Sequence, residues 1–115
     1  MPISARNLSF FTKSEIQKLF KQARRLFKQP GLDILVHPKL HEFGRILVVT
    51  PAKIGNAVHR NKIRRQFKAL FYQEKYPEKG FDYILIVKKE GLSYSFEQLK
   101  DALLKTYNRI QESFK

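Results

Sequence analysis

The sequence predicts helices packed on a small β-sheet, an α+β or α/β sandwich. Three observations predict it. Apolar residues recur at helical spacing in three segments, one near each end and one in the middle of the chain. Runs rich in β-branched residues, 32–37, 45–50 and 82–88, lie between those segments. The two stronger runs flank the middle helix, so they can pair in parallel through a crossover. A length of 115 residues fits a single domain, 1–115, with residues 1–12 as an extended N-terminal arm.

Thr12-Lys-Ser-Glu15 has the form of a capping box that opens the first helix. Ile16, Leu19, Phe20, Ala23, Leu26 and Phe27 follow at helical spacing, and Pro30-Gly31 is the expected stop. Leu32 to His37 reads as a strand closed by Pro38. Lys39 to Gly44 is a polar connection. Arg45 to Thr50 is nearly continuous in apolar character, which predicts a central strand ended by Pro51. Gly55-Asn56 supplies a loop and cap signal for a helix running to about Tyr76, closed by Pro77 and Gly80. Asp82 to Lys88 is the third strand read from the pattern. Gly91 to Ser95 is a turn, and Ser95 with Gln98 forms a second capping box. Phe96, Leu99, Leu103, Thr106, Tyr107 and Ile110 then line one face of the last helix.

The charge balance constrains the partner. Lys and Arg total 23 against 10 Asp and Glu, a formal net charge of +13. For so small a chain this points to nucleic acid first and to an anionic membrane surface second. The chain has no Cys, which excludes disulfides and thiolate metal sites and fits a reducing, cytoplasmic setting. No apolar run approaches the roughly 20 residues of a membrane-spanning helix, and the N-terminus lacks the pattern of a signal peptide.

The cations concentrate in one segment. Lys53, Arg60, Lys62, Arg64, Arg65 and Lys68 lie in sixteen residues with no acid among them. A merely solvated helix face normally mixes Glu with Lys in pairs four residues apart. At about 100° per residue, Arg60, Asn61, Arg64, Arg65 and Lys68 share one broad stripe, while Ile63, Phe67, Leu70 and Phe71 fall on an adjacent face. The segment thus has one face to bury and one to offer phosphates, where Arg suits bidentate contacts.

Aromatic rings among cations also suit single-stranded nucleic acid. Helical spacing favours a core role for Phe27, Phe67 and Phe71 and leaves Phe20 open between core and stacking. His37, His41 and His59 form no metal-ligand pattern. The acids show no paired spacing for acid–base chemistry, and no nucleophile elbow, P-loop or glycine fingerprint is present. No self-contained catalytic site is read from the chain.

Lys53-Ile-Gly-Asn-Ala-Val-His-Arg-Asn-Lys-Ile-Arg-Arg resembles the signature of the bacterial ribonuclease P protein component: an Arg-Asn-Arg/Lys core and a basic pair after a Gly-x-Ala-Val step. The resemblance extends to Lys13–Phe20, Arg45–Thr50 and Asp82–Lys88, and so to nearly all of the chain beyond its first residues. It implies an αβββαβα fold with a left-handed crossover around the basic helix, against the usual right-handed rule. The additional strand would be short, or a split of the 32–38 region. It implies the protein subunit of a ribonucleoprotein endonuclease that removes the 5′ leader of precursor tRNA. The RNA subunit would carry the chemistry, with Mg²⁺ expected on that subunit and no cofactor or small-molecule substrate on the protein. Lys53, Arg60, Asn61, Lys62, Arg64, Arg65 and Lys68 would face the RNA subunit. Lys13, Ile16 and Phe20 would line a leader cleft between the first helix and the sheet. Ile16 stands where the family usually has an aromatic, Leu47 where it often has Gly, and Pro51-Ala52-Lys53 where it often has Ser-Lys-Lys. The competing reading is a general RNA-binding or ribosomal-type structural protein. A membrane-surface or DNA-binding domain is disfavoured by the ordinary core faces of the helices.

Overall fold

The computed structural model describes residues 10–114; the first nine residues of the expected arm lie outside that range. Its elements are α1 (Lys13–Gln22), β1 (Arg24–Gln29), β2 (Leu32–Pro38), β3 (Ile46–Val49), α2 (Ala57–Gln73), β4 (Phe81–Val87) and α3 (Phe96–Ser113). Short 3-10 turns at Ala52–Ile54, Tyr76–Lys79 and Lys89–Ser93 join them. The order is αβββαβα.

Thr12 opens α1 as the capping box requires. Its Oγ1 accepts the Glu15 N–H at 3.1 Å, and its own N–H donates to Glu15 Oε1 at 2.9 Å. The helix then ends at Gln22, several residues short of the Pro30-Gly31 stop. Ala23 turns to extended backbone, and Leu26 and Phe27, expected on a helix, lie on β1. This is the additional strand, and it does not come from splitting 32–38. The reason is pairing. Pro30-Gly31 is the two-residue turn of a hairpin that sets Gln29 opposite Leu32 and Arg24 opposite Val36. A register shift between Arg25 and Phe27 leaves Leu26 as the extra residue. Phe27 is thereby buried in the core. Helix α3 fastens the new edge: Arg109 Nη1 donates to Leu26 O and Arg24 Nη1 to Ser113 O, each at 2.6 Å.

The sheet order is β1-β2-β4-β3. β4 runs antiparallel to β2 and parallel to β3, so the two strands flanking α2 do pair through a crossover. β3 is an edge strand and not the central strand its apolar run predicted. β4 returns from α2 onto one side of β3 while β2 takes the other side of β4, leaving the outer edge of β3 unpaired in the sheet. β2 and β4, paired from Leu32↔Val87 to Pro38↔Phe81, form the middle.

The strand alternation gives the sheet two different faces. Leu32, Ile34, Val36, Ile46, Tyr83, Leu85 and Val87 join Ile63, Phe67, Leu70 and Phe71 of α2 and Leu99, Leu103 and Ile110 of α3 in the main core. The core positions expected for Phe27, Phe67 and Phe71 hold. On the opposite face Leu35 and Ile84 pack against Leu19 of α1, with Leu47, Val49 and Ile86 half-buried beside them. Two expectations on α3 are revised: Tyr107 is only half-buried, and Phe96 is 38% exposed. Helix α2 stops at Gln73, before Tyr76, because Lys75 takes a left-handed backbone at φ 60°. Gly31 and Gly91 touch backbone to backbone, and a Cβ on Gly91 would run into the Gly31 carbonyl. No helix among the described residues is long and apolar enough to cross a membrane.

Candidate nucleic-acid interface

Helix α2 is set by its two ends and its inner face. Asn56 caps it, its Oδ1 accepting the His59 N–H at 2.9 Å. Ile54, just upstream, is buried and holds the β3–α2 connection to the core. Ile63, Phe67, Leu70 and Phe71 are buried as the spacing predicted. The remaining faces are exposed or half-buried, and they carry the cations. Among the described residues none of Lys53, Arg60, Lys62, Arg64, Arg65 and Lys68 forms an ion pair.

These residues do not act as one stripe. Arg60, Arg64 and Lys68 run up the flank toward β3; Asn61 and Arg65 form the crest; Lys62 lies on the flank toward α3. Arg60 is partly engaged in structure: its Nε donates to Gly55 O at 3.1 Å and its Nη1 to Thr50 O at 3.5 Å. It clamps the loop that leads into the helix, with guanidinium N–H groups still to spare. Arg64 is half-buried, and its Nε has no partner among the described residues. Lys53, Asn61, Lys62, Arg65 and Lys68 are exposed.

The second expected surface lies on α1. Phe20 is 46% exposed, which settles its open position in favour of the surface. An open hollow of about 740 Å³ brings together Ser14, Ile16, Gln17, Phe20 and Lys21. Its lining comes from α1 alone, and Lys13, exposed in the first turn, is not part of it. The sheet residues nearest in character are the half-buried Leu47, Val49 and Ile86 on the face that α1 covers. Charge frames that face: Lys88 Nζ sits 3.1 Å and Arg25 Nε 3.8 Å from the Asp33 carboxylate. Sequence reading placed none of these sheet residues. Their only sequence signal is strand alternation, which identifies a face without saying what covers it.

A buried polar hub fixes α1 on the sheet, and it too was missed. Arg45 (3% exposed) and Asp82 (0%) lie at the starts of neighbouring strands. The Arg45 N–H donates to Asp82 Oδ1 at 2.8 Å. The Arg45 guanidinium donates to both Glu15 carboxylate oxygens, at 3.3 and 2.8 Å, and to Phe10 O at 2.7 Å. It also stacks on the Phe11 ring, 4.2 Å from its centroid. The Arg45 hydrogen bond holds the Glu15 carboxyl well below the usual range, whereas burial raises that of Asp82. Glu15 is thus both the helix cap and the strut to the sheet.

A small sheet-and-helix protein with an unpaired row of cations on one helix belongs to the class of polyanion-binding modules. The Ribonuclease P family model matches residues 5–111. A ribonuclease P protein component from Erythrobacter litoralis is 34% identical over 87 residues, covering 73% of this chain and 71% of its own. One from Petrotoga mobilis is 30% identical over 114 residues, covering 88% and 95%. The chain belongs to the ribonuclease P protein family. Its fold is also that of the Staphylococcus aureus RNase P protein (TM-score 0.74, 20% identity, 94% of this chain and 98% of that one). The Thermotoga maritima RNase P protein is comparably similar (TM-score 0.72, 22% identity, 89% and 96%).

Proposed function

We propose that this chain is the protein subunit of a bacterial ribonuclease P, assisting a catalytic RNA subunit in removing the 5′ leader of precursor tRNA. One observation carries the reading beyond family membership: the cations of α2 have no acidic partners among the described residues. Lys53, Arg60, Asn61, Lys62, Arg64, Arg65 and Lys68 contact the RNA subunit, mainly through phosphates. The single-stranded leader lies along α1 and the sheet face beneath it. Phe20 offers a ring, Ile16 with Leu47, Val49 and Ile86 an apolar floor, and Lys13 a cation for phosphates.

The chemistry belongs to the RNA. Mg²⁺ is assigned to the RNA subunit.

Reconstitution tests the reading. The protein is added to a bacterial ribonuclease P RNA and precursor tRNA at low Mg²⁺. Cleavage at the 5′ side is expected to rise, and affinity for leader-bearing tRNA to rise above that for mature tRNA. RNA binding without either gain would leave only a general RNA-binding protein.

A further inference from the structure

Beside Lys62 and Arg65, the α3-facing flank of α2 carries an aromatic ring that neither the cation set nor the leader surface uses. Two hollows meet along the groove between α2 and the start of α3. The first, of about 380 Å³, is lined by His59, Lys62, Gln66, Leu92, Tyr94 and Phe96 among others. The second, of about 450 Å³, is lined by Lys62, Arg65, Gln66, Gln73 and Phe96 among others. Lys62, Gln66 and Phe96 border both. Neither hollow has an acidic residue in its lining; Glu97 follows Phe96 but lines neither.

Phe96 is out of place for an ordinary core residue. It occupies the first turn of α3, where the capping box of Ser95 and Gln98 fixes the backbone. Every other apolar residue of the expected inner face packs into the core, but the Phe96 ring joins neither hydrophobic cluster and stays 38% exposed. An exposed ring that borders two hollows also lined by Lys62 and Arg65 has the chemistry of a base-stacking site. The lysine and arginine supply phosphate contacts, and the Gln66 amide can donate to or accept from a base edge.

We propose that this groove holds an unpaired nucleotide of an RNA partner, with its base stacked on Phe96 and its flanking phosphates on Lys62 and Arg65. The inference rests on the proposed function and deepens it: Lys62 and Arg65 hold phosphates, and the Phe96 ring beside them holds the base between those phosphates. Positive charge on every charged group lining the groove selects a polyanion over an acidic-rimmed or purely apolar protein partner.

The chain contains no Trp, so Phe96→Trp in the full-length protein introduces a single fluorescent reporter. Titration with a bacterial ribonuclease P RNA is expected to quench its emission. Phe96→Ala is expected to weaken RNA affinity about tenfold, leaving the salt slope and melting temperature unchanged, and Phe96→Tyr to restore affinity. Unchanged tryptophan emission on RNA that is demonstrably bound would overturn the inference and leave the proposed function standing. So would a Phe96→Ala variant with a lowered melting temperature and unaltered affinity. Failure of the unmodified protein to bind the RNA at all would overturn both.

Discussion

Arg64 and Arg65 are neighbours with different settings. Arg65 stands on the exposed crest of α2, whereas Arg64 is half-buried on the β3 flank with its Nε unpartnered among the described residues. Neither has a counter-charge to leave behind, so replacing both with Ala removes cations without orphaning a carboxylate. RNA affinity should fall, and the slope of log affinity against log salt should flatten by roughly one unit, or slightly less, per lost phosphate contact. An unaltered slope would mean that these side chains meet only solvent. Phe20 gives the complementary test. Because nearly half of it is exposed, Phe20→Ala should leave the melting temperature nearly unchanged and reduce the preference for leader-bearing tRNA. A large thermal loss would place the ring in the core instead.

At the scale of elements, α1 is the least embedded helix. It meets the sheet through Leu19 and through the hub of Glu15, Arg45 and Asp82. Arg45→Ala would leave the buried Asp82 carboxylate without its guanidinium and Glu15 with only His41 as a basic partner, and denaturant melts should show a loss of about 3–5 kcal/mol. The hub also predicts acid sensitivity. The folded state lowers the Glu15 carboxyl below its ordinary 4.5. Its contribution is therefore complete above that pH and is lost as pH falls toward the depressed value. Asp82 works in the opposite sense, since burial raises its carboxyl and protonation in acid relieves the cost of its charge. Glu15→Gln should be less stable at neutral pH but should lose less stability between about pH 5 and pH 3 than the unmodified protein. Urea melts across that range would show parallel curves if Glu15 were not the acid-sensitive strut. Elsewhere, Gly91→Ala should cost on the order of 1–3 kcal/mol, because the added methyl meets the Gly31 backbone and no flexible side chain can yield.

For the whole molecule, net charge and face assignment work together. A formal charge of +13 on 115 residues steers the protein toward any polyanion. The fold decides where the polyanion docks, by burying the main core under α2 and α3 and leaving the other sheet face only partly covered by α1. If Lys53 and the five cations of α2 all meet phosphates, affinity for duplex-rich RNA should drop about a thousandfold between 50 and 200 mM salt, by the order of magnitude known for comparable contact numbers on duplex DNA. A drop below tenfold would show that most of the six stand clear of the RNA.

Local signals determined the helix starts, the inner face of α2, the run of cations with no acid within it and the family. Capping boxes act within four residues, and helical periodicity needs no distant partner. The end of α1 was different. Ala23, Leu26 and Phe27 fit a helix as well as they fit a strand, and only pairing with β2 across Pro30-Gly31 chose the strand. The two-residue turn was a legible hairpin signal, but it served equally as a helix stop. The edge position of β3 was also tertiary, because apolar content cannot say which neighbours a strand acquires. So was the division of the α2 cations between two flanks, since a helical wheel shows angles but not what stands beside them. The exposure of Phe20 and Phe96, the half-open Leu47, Val49 and Ile86, and the hub linking Glu15, Arg45 and Asp82 all depend on contacts between residues far apart in the chain. Sequence by itself determined the charge and the surface that carries it. The tertiary structure decided which rings and apolar side chains stand beside that charge, because only packing settles what each face leaves uncovered.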